Sequence, residues 1–571
     1  MRYTSSLGVR LALGLVLGLL LTGCRKTSAP AEEPAGPPWF RDATGELGLN
    51  FVHDAGPVGR YFMPQVMGSG AALFDYDNDG RLDIYLIQNG GPGSKSTNRL
   101  FHQRRDGKFV DVTEGSGLGV TGYGMGVAIG DVNNDGYPDV LLTEFGRIRL
   151  FLNNRNGTFT DVTREAGLDN PHWGTSACFV DFDRDGWLDL VVANYVVYSQ
   201  TRPCSDHGGK RGFCGPSVFP GTVAKLYHNL GRVPGSRRRE VRFEDVTVRS
   251  GLGSLSGPGL GVACADFNGD HWPDIFIAND GQPNHLWVNQ HDGTFKEEAV
   301  VRGVAYNAMG HAEANMGIAL GDLDGNGLFD IFVTHLTEER HVLWKQESRG
   351  LFADRTAASG LASAHYRGTG FGTVMGDFDQ DGAPDLAVAN GRVKLGAWAN
   401  RAPGGSFWQP YRERNQLFAN EGGGQFRDIS PQNEAFCGRR GVARGLACGD
   451  IDGDGALDLL VTEVAGPARI LCNAVPNRGH WLMVRATDPL LGGRDAYGAE
   501  VTVHVGQRRY WRLINPGLSY LSSSDPRAHF GLGAADRVDA IEVVWPDGTQ
   551  ETFGGRAADR VVTLRRGQGK K

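Results

Sequence analysis

The sequence predicts an all-β chain, a seven-bladed β-propeller with a C-terminal small β-sandwich domain. A nine-residue pattern, Asp-x-Asp/Asn-x-Asp/Asn-Gly-x-x-Asp, begins at Asp75, Asp131, Asp181, Asp266, Asp322, Asp377 and Asp450. Each copy is flanked by the same strand-like runs. A further run ends each repeat except the last, and one spare copy of it stands before the first. A unit of about 50 residues repeated in this way belongs to the period range of propeller blades.

The remaining composition narrows the class. A chain of 571 residues exceeds one ordinary core. Its 84 glycines lack the period of three that collagen needs, and 40% hydrophobic content excludes a disordered chain. A net charge of -7 and a pI near 6.1 give no basis for a nucleic-acid partner.

The N-terminus reads as a separate unit. Arg2 and Arg10 precede an apolar run from Leu11 to Leu21, too short to span a bilayer of about 30 Å, so residues 1–23 are expected to be a signal peptide. Leu21-Thr22-Gly23-Cys24 resembles a bacterial lipobox. The resemblance implies lipidation of Cys24, attachment to a membrane through that lipid, and a place in the bacterial cell envelope facing the periplasm or the exterior. Residues 24–38 form a Pro-rich tether too polar to pack.

Residues 39–476 carry the repeats. Before each loop lies a Gly/Ala-rich apolar segment such as Gly70-Ala71-Ala72-Leu73-Phe74, and after it a β-type run such as Ile84-Tyr85-Leu86-Ile87. A third run (Arg99-Leu100-Phe101) and a fourth (Phe109-Val110-Asp111-Val112-Thr113) complete four strands per blade. No fourth run follows the seventh loop, whereas Phe40-Arg41-Asp42-Ala43-Thr44 precedes the first. This strand is expected to complete the seventh blade and close the ring without exposed edges.

The loop chemistry follows from hard-cation coordination. Oxygens at positions 1, 3, 5 and 9 converge with a carbonyl at position 7 because Gly at position 6 permits a sharp turn. The expected ligands are Asp75, Asp77, Asp79 and Asp83 in the first loop, Asp131, Asn133, Asp135 and Asp139 in the second, and Asp181, Asp183, Asp185 and Asp189 in the third. Asp266, Asn268, Asp270 and Asp274 form the fourth set, and Asp322, Asp324, Asn326 and Asp330 the fifth. Asp377, Asp379, Asp381 and Asp385 form the sixth, and Asp450, Asp452, Asp454 and Asp458 the seventh. Oxygen donors without cysteine favour calcium, at up to seven sites. Carboxylates crowded into one turn repel unless a divalent ion neutralises them, although an Asx-rich turn satisfied by its own amides is the alternative. The fourth loop is the weakest, because His271 replaces Gly and Asn268 replaces Asp.

Cys204 and Cys214 lie in the insertion from Tyr198 to Thr222, which has little apolar content, and a disulfide is expected between them. A zinc site with His207 is the alternative, without an evident fourth ligand. Cys178, Cys264 and Cys448 fall in first strands and read as small buried hydrophobes. Arg237-Arg238-Arg239 reads as a solvated hairpin loop, and no catalytic motif occurs in a fitting context.

The repeats resemble FG-GAP or VCBS-type repeats, the calcium-loop blades of integrin α-chain propellers and many bacterial surface proteins. The tail over 477–566, with Arg494-Asp495-Ala496-Tyr497-Gly498-Ala499, Gly517-Leu518-Ser519-Tyr520-Leu521-Ser522-Ser523, His529-Phe530-Gly531-Leu532-Gly533 and Val544-Trp545-Pro546-Asp547-Gly548, resembles the ASPIC/UnbV domain. The combination is that of the cartilage-acidic-protein-like family, which implies extracellular calcium binding. The tail itself alternates apolar and polar residues (Val501, Val503, Val505; Ile541, Val543), which reads as a sandwich.

The expected function is a lipid-anchored, extracytoplasmic calcium-binding propeller that acts as a ligand-binding or adhesion module, with a protein or polysaccharide as ligand. A propeller enzyme (hydrolase, lyase or dehydrogenase) with its site on the face opposite the calcium loops is the alternative, since fold does not fix function. In an antiparallel blade all seven acidic loops share one face. The insertions from Tyr198 to Thr222 and from Gly391 to Asn415, with Trp398 in the latter, belong to the opposite face, as do the links from His53 to Met67 and through Met309-Gly310-His311. Trp408, Tyr411, Arg412, Tyr61 and His53 on those loops are the expected ligand-binding residues.

Overall fold

Seven four-stranded antiparallel sheets follow one another along the chain, each with an acidic loop between its first two strands. The computed structural model describes residues 36–205, 209–232, 241–395 and 406–571; Cys24, His207, Arg237 to Arg239 and Trp398 lie outside the described residues. From Pro37 to Lys571 the chain is one compact unit.

The first blade shows the pattern. Ala71–Phe74, Asp83–Leu86, Arg99–Gln103 and Phe109–Asp111 pair in order, and the outermost strand is short. First strands are buried along their length, as in Gly124–Gly130 and Gly174–Val180. Each packs on the first strand of the next blade, and the series returns from the seventh, Ala443–Gly449, to the first. The blades therefore surround an axis. Glycine is required on these strands because backbones meet there: a Cβ on Gly317 would lie 2.0 Å from the carbonyl oxygen of Phe371 on the next blade.

The seventh blade is assembled from both ends of the propeller. Phe40–Asp42 pairs antiparallel with Arg469–Asn473, placing Phe40 opposite Asn473 and Asp42 opposite Leu471. Phe40 is buried with Phe378 and Phe436 around it. This is the closure expected from the sequence, and it covers the edge that Arg469–Asn473 would otherwise expose.

The C-terminal domain has two four-stranded sheets. In one, His480–Asp488 lies between Ala528–Gly533 and Arg560–Arg565; in the other, Glu500–Val505 lies between Arg508–Leu513 and Arg537–Val544. Val501, Val503, Ile541 and Val543 point inward, and their core is continuous with apolar residues of blades two and three.

Between the two domains runs a segment that no repeat or apolar period in the sequence marks. The segment 515–525 enters the axis and bonds to the first strand of every blade. Ser523 accepts from Leu73 (3.0 Å) and donates to Ala71 (2.9 Å), and the Leu521 carbonyl accepts from Val127 (3.2 Å). The Leu521 amide reaches Ser176 Oγ at 3.1 Å, and Asn515 Nδ2 the Cys264 carbonyl at 2.9 Å. Ser519 pairs with Ile318 and its Oγ accepts from Thr373 at 3.0 Å, while Ser524 Oγ accepts from Cys448 at 3.2 Å. Ser519 and Leu521 hold positive φ angles of 82° and 56°, which this ladder of bonds maintains.

The opposite mouth of the axis is capped by aromatic rings. Phe213 stacks on Trp408 at 6.0 Å, Tyr61 packs edge-on against Phe213, and Tyr520 of the axial segment meets Phe371 from below. A disulfide joins Cys204 to Cys214, Cα atoms 5.1 Å apart, within the capping insertion. Arg444, fully buried, donates to the carbonyls of Val66 (2.7 Å) and Gly391 (2.8 Å) with its guanidinium 3.9 Å from the Phe371 ring. Its charge is met by carbonyl dipoles and a π face, and burial pulls its pKa down to about 9.

Candidate metal centres

Every acidic loop is built on the same two anchors. The ninth-position Asp opens the second strand and is wholly buried; Oδ1 of Asp189 accepts the Asn229 amide at 2.7 Å and Oδ2 the Phe182 amide at 3.0 Å. Asp83, Asp139, Asp274, Asp330, Asp385 and Asp458 repeat both bonds. The first-position Asp ends the first strand, and one of its oxygens accepts the amide of residue 6, as Asp377 does from Gly382 at 2.9 Å. Burial raises these carboxyls: Asp181 and Asp377 to about 7, Asp75, Asp131 and Asp450 to about 6, Asp83 to about 8.

The second oxygen of the first-position Asp divides the loops. In the first, second, fourth and fifth it accepts amides of its own loop, as Asp75 Oδ1 does from Asp79 at 2.9 Å and Asp322 Oδ1 from Gly325 at 2.8 Å. In the third, sixth and seventh loops Oδ1 of Asp181, Asp377 and Asp450 is buried and accepts no hydrogen bond. A buried carboxylate oxygen aimed into a turn of three further carboxylates fits a divalent cation. In the sixth loop, burial and then the Asp381 charge push Asp379 up to about 6.

The fifth loop fits less well. Lys345 on its third strand sets Nζ 2.6 Å from Asp324 Oδ2, so an ammonium already faces the carboxylates. In the fourth, His271 holds the sixth position at φ 69°, and His291 Nε2 lies 2.9 Å from Asp270. A further signal lies at position 4, where Asn78, Asn134 and Gln380 adopt positive φ and donate to the sixth-position carbonyl of the next loop (2.8–2.9 Å). Asn, Asn and Gln at one position of three copies could have revealed this chain of loops.

The C-terminal domain sits on this face. Its Gly531 amide donates to Asp377 Oδ2 at 3.1 Å, His529 Nε2 to the Gly455 carbonyl at 3.0 Å, and Arg494 to the Gly186 carbonyl at 3.2 Å. Arg494 is buried near Asp181 and Asp131, and Arg512 near Asp377 and Asp322; burial lowers the pKa of both guanidiniums, and the carboxylates oppose it.

A family model described as an FG-GAP-like repeat matches residues 75–142, 131–192, 266–333, 322–388 and 377–461, more than half of the chain. The chain belongs to the FG-GAP-like repeat family. A second model, ASPIC and UnbV, matches residues 491–571 of this FG-GAP-like protein. It is 27% identical to cartilage acidic protein 1 of Mus musculus over 58% of this chain and 58% of the relative, and 30% identical to that of Xenopus tropicalis over 54% and 44%. It thus spans about half the length of these relatives. A solved structure of an Agrocybe aegerita lectin, described as recognising non-reducing terminal N-acetylglucosamine, aligns over 73% of this chain and 92% of its own at 15% identity with a TM-score of 0.38. One of BBS1N with ARL6DN aligns over 78% and 99% at 9% identity with a TM-score of 0.39.

The five residues expected to bind a ligand on the FG-GAP-like disc are placed differently from that expectation. His53, Trp408 and Tyr411 are buried, and Tyr61 is half-buried between Phe213 and Phe407. Their rings pack the insertions onto the disc, which removes them from a ligand surface; of the five, Arg412 is exposed.

Proposed function

We propose that the chain is an extracytoplasmic, calcium-binding propeller that serves as a ligand-binding or adhesion module, held at a bacterial membrane by a lipid on Cys24. The unbonded, buried Oδ1 atoms of Asp181, Asp377 and Asp450 carry the reading that these loops bind a divalent ion, and those of Asp377 and Asp450 carry the calcium reading. These three loops supply four Asp each, whose mutual repulsion a bound divalent ion offsets, and the sixth and seventh hold calcium as that structural ion. The disulfide in the third blade agrees with an oxidising compartment. Because the C-terminal domain covers the loop face, the ligand binds the opposite face, where Arg60, Arg202, Arg211 and Arg412 are exposed and suit an acidic protein or polysaccharide.

Calcium titration of EDTA-treated protein by calorimetry, with thermal melting in parallel, tests the reading. Binding at roughly 10⁻⁵ to 10⁻³ M with a raised melting temperature is expected; an identical melting curve with and without calcium would refute it. Cys24→Ser should release the protein from membranes, and continued membrane retention would refute the anchor.

A further inference from the structure

The residue that overhangs each loop differs from blade to blade. On every third strand it immediately precedes the residue whose amide binds the ninth-position Asp: His102, Leu152, His228, Val288, Lys345, Ala419 and Cys472 in blades one to seven. In the sixth blade this position is Ala419, so every side-chain donor of the loop is oxygen. In the third it is His228. Its Nε2 lies 2.9 Å from Asp183 Oδ2 and 3.5 Å from Asp185 Oδ2. One ligand atom from each of Asp183, Asp185 and His228 falls within 4.8 Å of the others, and the same holds for Asp181, Asp183 and Asp189. Asp181 is 6% exposed and its Oδ1 has no hydrogen-bond partner.

We propose that the third loop is a mixed imidazole–carboxylate site for a first-row divalent transition ion, of the class of Mn²⁺ or Zn²⁺, distinct from the all-oxygen loops. The inference rests on the loops being metal sites, as proposed above. Calcium takes oxygen donors, whereas an imidazole nitrogen beside carboxylates suits manganese, iron, cobalt or zinc, so one donor atom changes the class of ion that the same nine residues hold. Blade one differs in geometry: His102 Nδ1 is bonded to the buried Asp83 at 3.0 Å, and Asp75 Oδ1 is already occupied by an amide. In blade three the imidazole faces the two carboxylates at the mouth of the loop, while the first-position oxygen beneath has no partner.

The probe is Mn²⁺ added to the full chain in excess calcium, read by electron spin echo for modulation from a directly bound ¹⁴N. One Mn²⁺ should stay bound and show the ¹⁴N signal. His228→Leu, which installs the residue of blade two, should abolish the signal and weaken Mn²⁺ binding on the order of tenfold or more, with calcium uptake by the sixth and seventh loops and the calcium-saturated melting temperature unchanged. His228→Gln should behave alike, and His102→Leu should keep the signal. A ¹⁴N signal that survives both His228 variants, or Mn²⁺ displaced by calcium as readily as at the other loops, would overturn this inference while leaving the calcium reading intact. Failure of every divalent ion to bind would overturn both.

Discussion

Ser519 and Ile318 exchange two main-chain hydrogen bonds, 2.7 Å from the Ser519 amide and 3.1 Å from the Ile318 amide, across 201 residues of sequence. The C-terminal domain is thereby stitched into the fifth blade at the axis, next to the fully buried Tyr520, whose hydroxyl donates to the Met67 carbonyl at 3.1 Å. Tyr520→Ala should destabilise the whole chain by about 3–5 kcal/mol, the range for emptying a large buried aromatic site. Urea denaturation followed by tryptophan fluorescence should show one transition shifted to lower urea. Two separate transitions, with the propeller's unchanged, would show that the domains are independent.

Removal of calcium should act unequally on the loops. Each ion at a hundredfold excess over its dissociation constant contributes about 2.7 kcal/mol. Asp377→Ala should remove most of one such increment, and Asn268→Ala little, because the first takes away a buried first-position carboxylate and the second a neutral side chain of a loop tied by its own amides. Differential scanning calorimetry at saturating calcium gives the comparison, and equal losses would contradict it.

Lys345 provides the converse test. With its ammonium on Asp324, the fifth loop is expected to take no calcium. Lys345→Ala, the residue of the sixth blade, should increase the number of calcium ions bound per chain by one in equilibrium dialysis. An unchanged number would mean that the lysine is not what keeps calcium out.

Acid should weaken the union of propeller and C-terminal domain through His529. Burial drops its pKa to about 4, below the ordinary 6.5, and its neutral ring donates to the Gly455 carbonyl. Between pH 6.5 and 4 the unfolded chain binds the proton that the folded chain refuses, so stability falls as pH falls across that window, by about 3 kcal/mol in total. In calcium-saturated protein, His529→Gln should flatten the dependence of stability on pH there. A slope identical to that of the unaltered chain would count against this role.

Deletion of Trp39 to Thr44 should leave Arg469–Asn473 as an unpaired edge and cause aggregation. Light scattering, set against deletion of residues 24–38, measures the effect. A monomer with unaltered melting would show that closure does not depend on this strand.

Much of this architecture was legible because it is local and repeated. The loop at Asp75 and its six copies mark first and second strands, and the register of Phe40-Arg41-Asp42 revealed a strand whose partner is 433 residues away, opposite Asn473. The axial segment gave no such sign. Pro516, Ser519 and Ser522 to Ser524 form no apolar period, and Ser519, Ser523 and Ser524 bond to main-chain groups far away in sequence. Trp408 and Tyr411 misled for a related reason: an aromatic on a loop reads alike whether it faces a ligand or Phe213, and the arrangement of three separate insertions decides which. The division among the acidic loops was half visible. Lys345 and His228 stand in plain sequence, but only the register of the third strand brings them over the carboxylates.

The axial segment also dictates an order of events during synthesis. The seven first strands can gather early, but the segment that lines their common centre follows all seven blades in sequence, and Ala71 must wait some 450 residues for Ser523. Until then the ring is hollow. Contacts this distant in sequence slow folding and prolong the exposure of unpaired backbone, so the axis cannot close until all seven blades have been made. A chain halted before residue 515 holds seven blades in sequence and nothing at their centre.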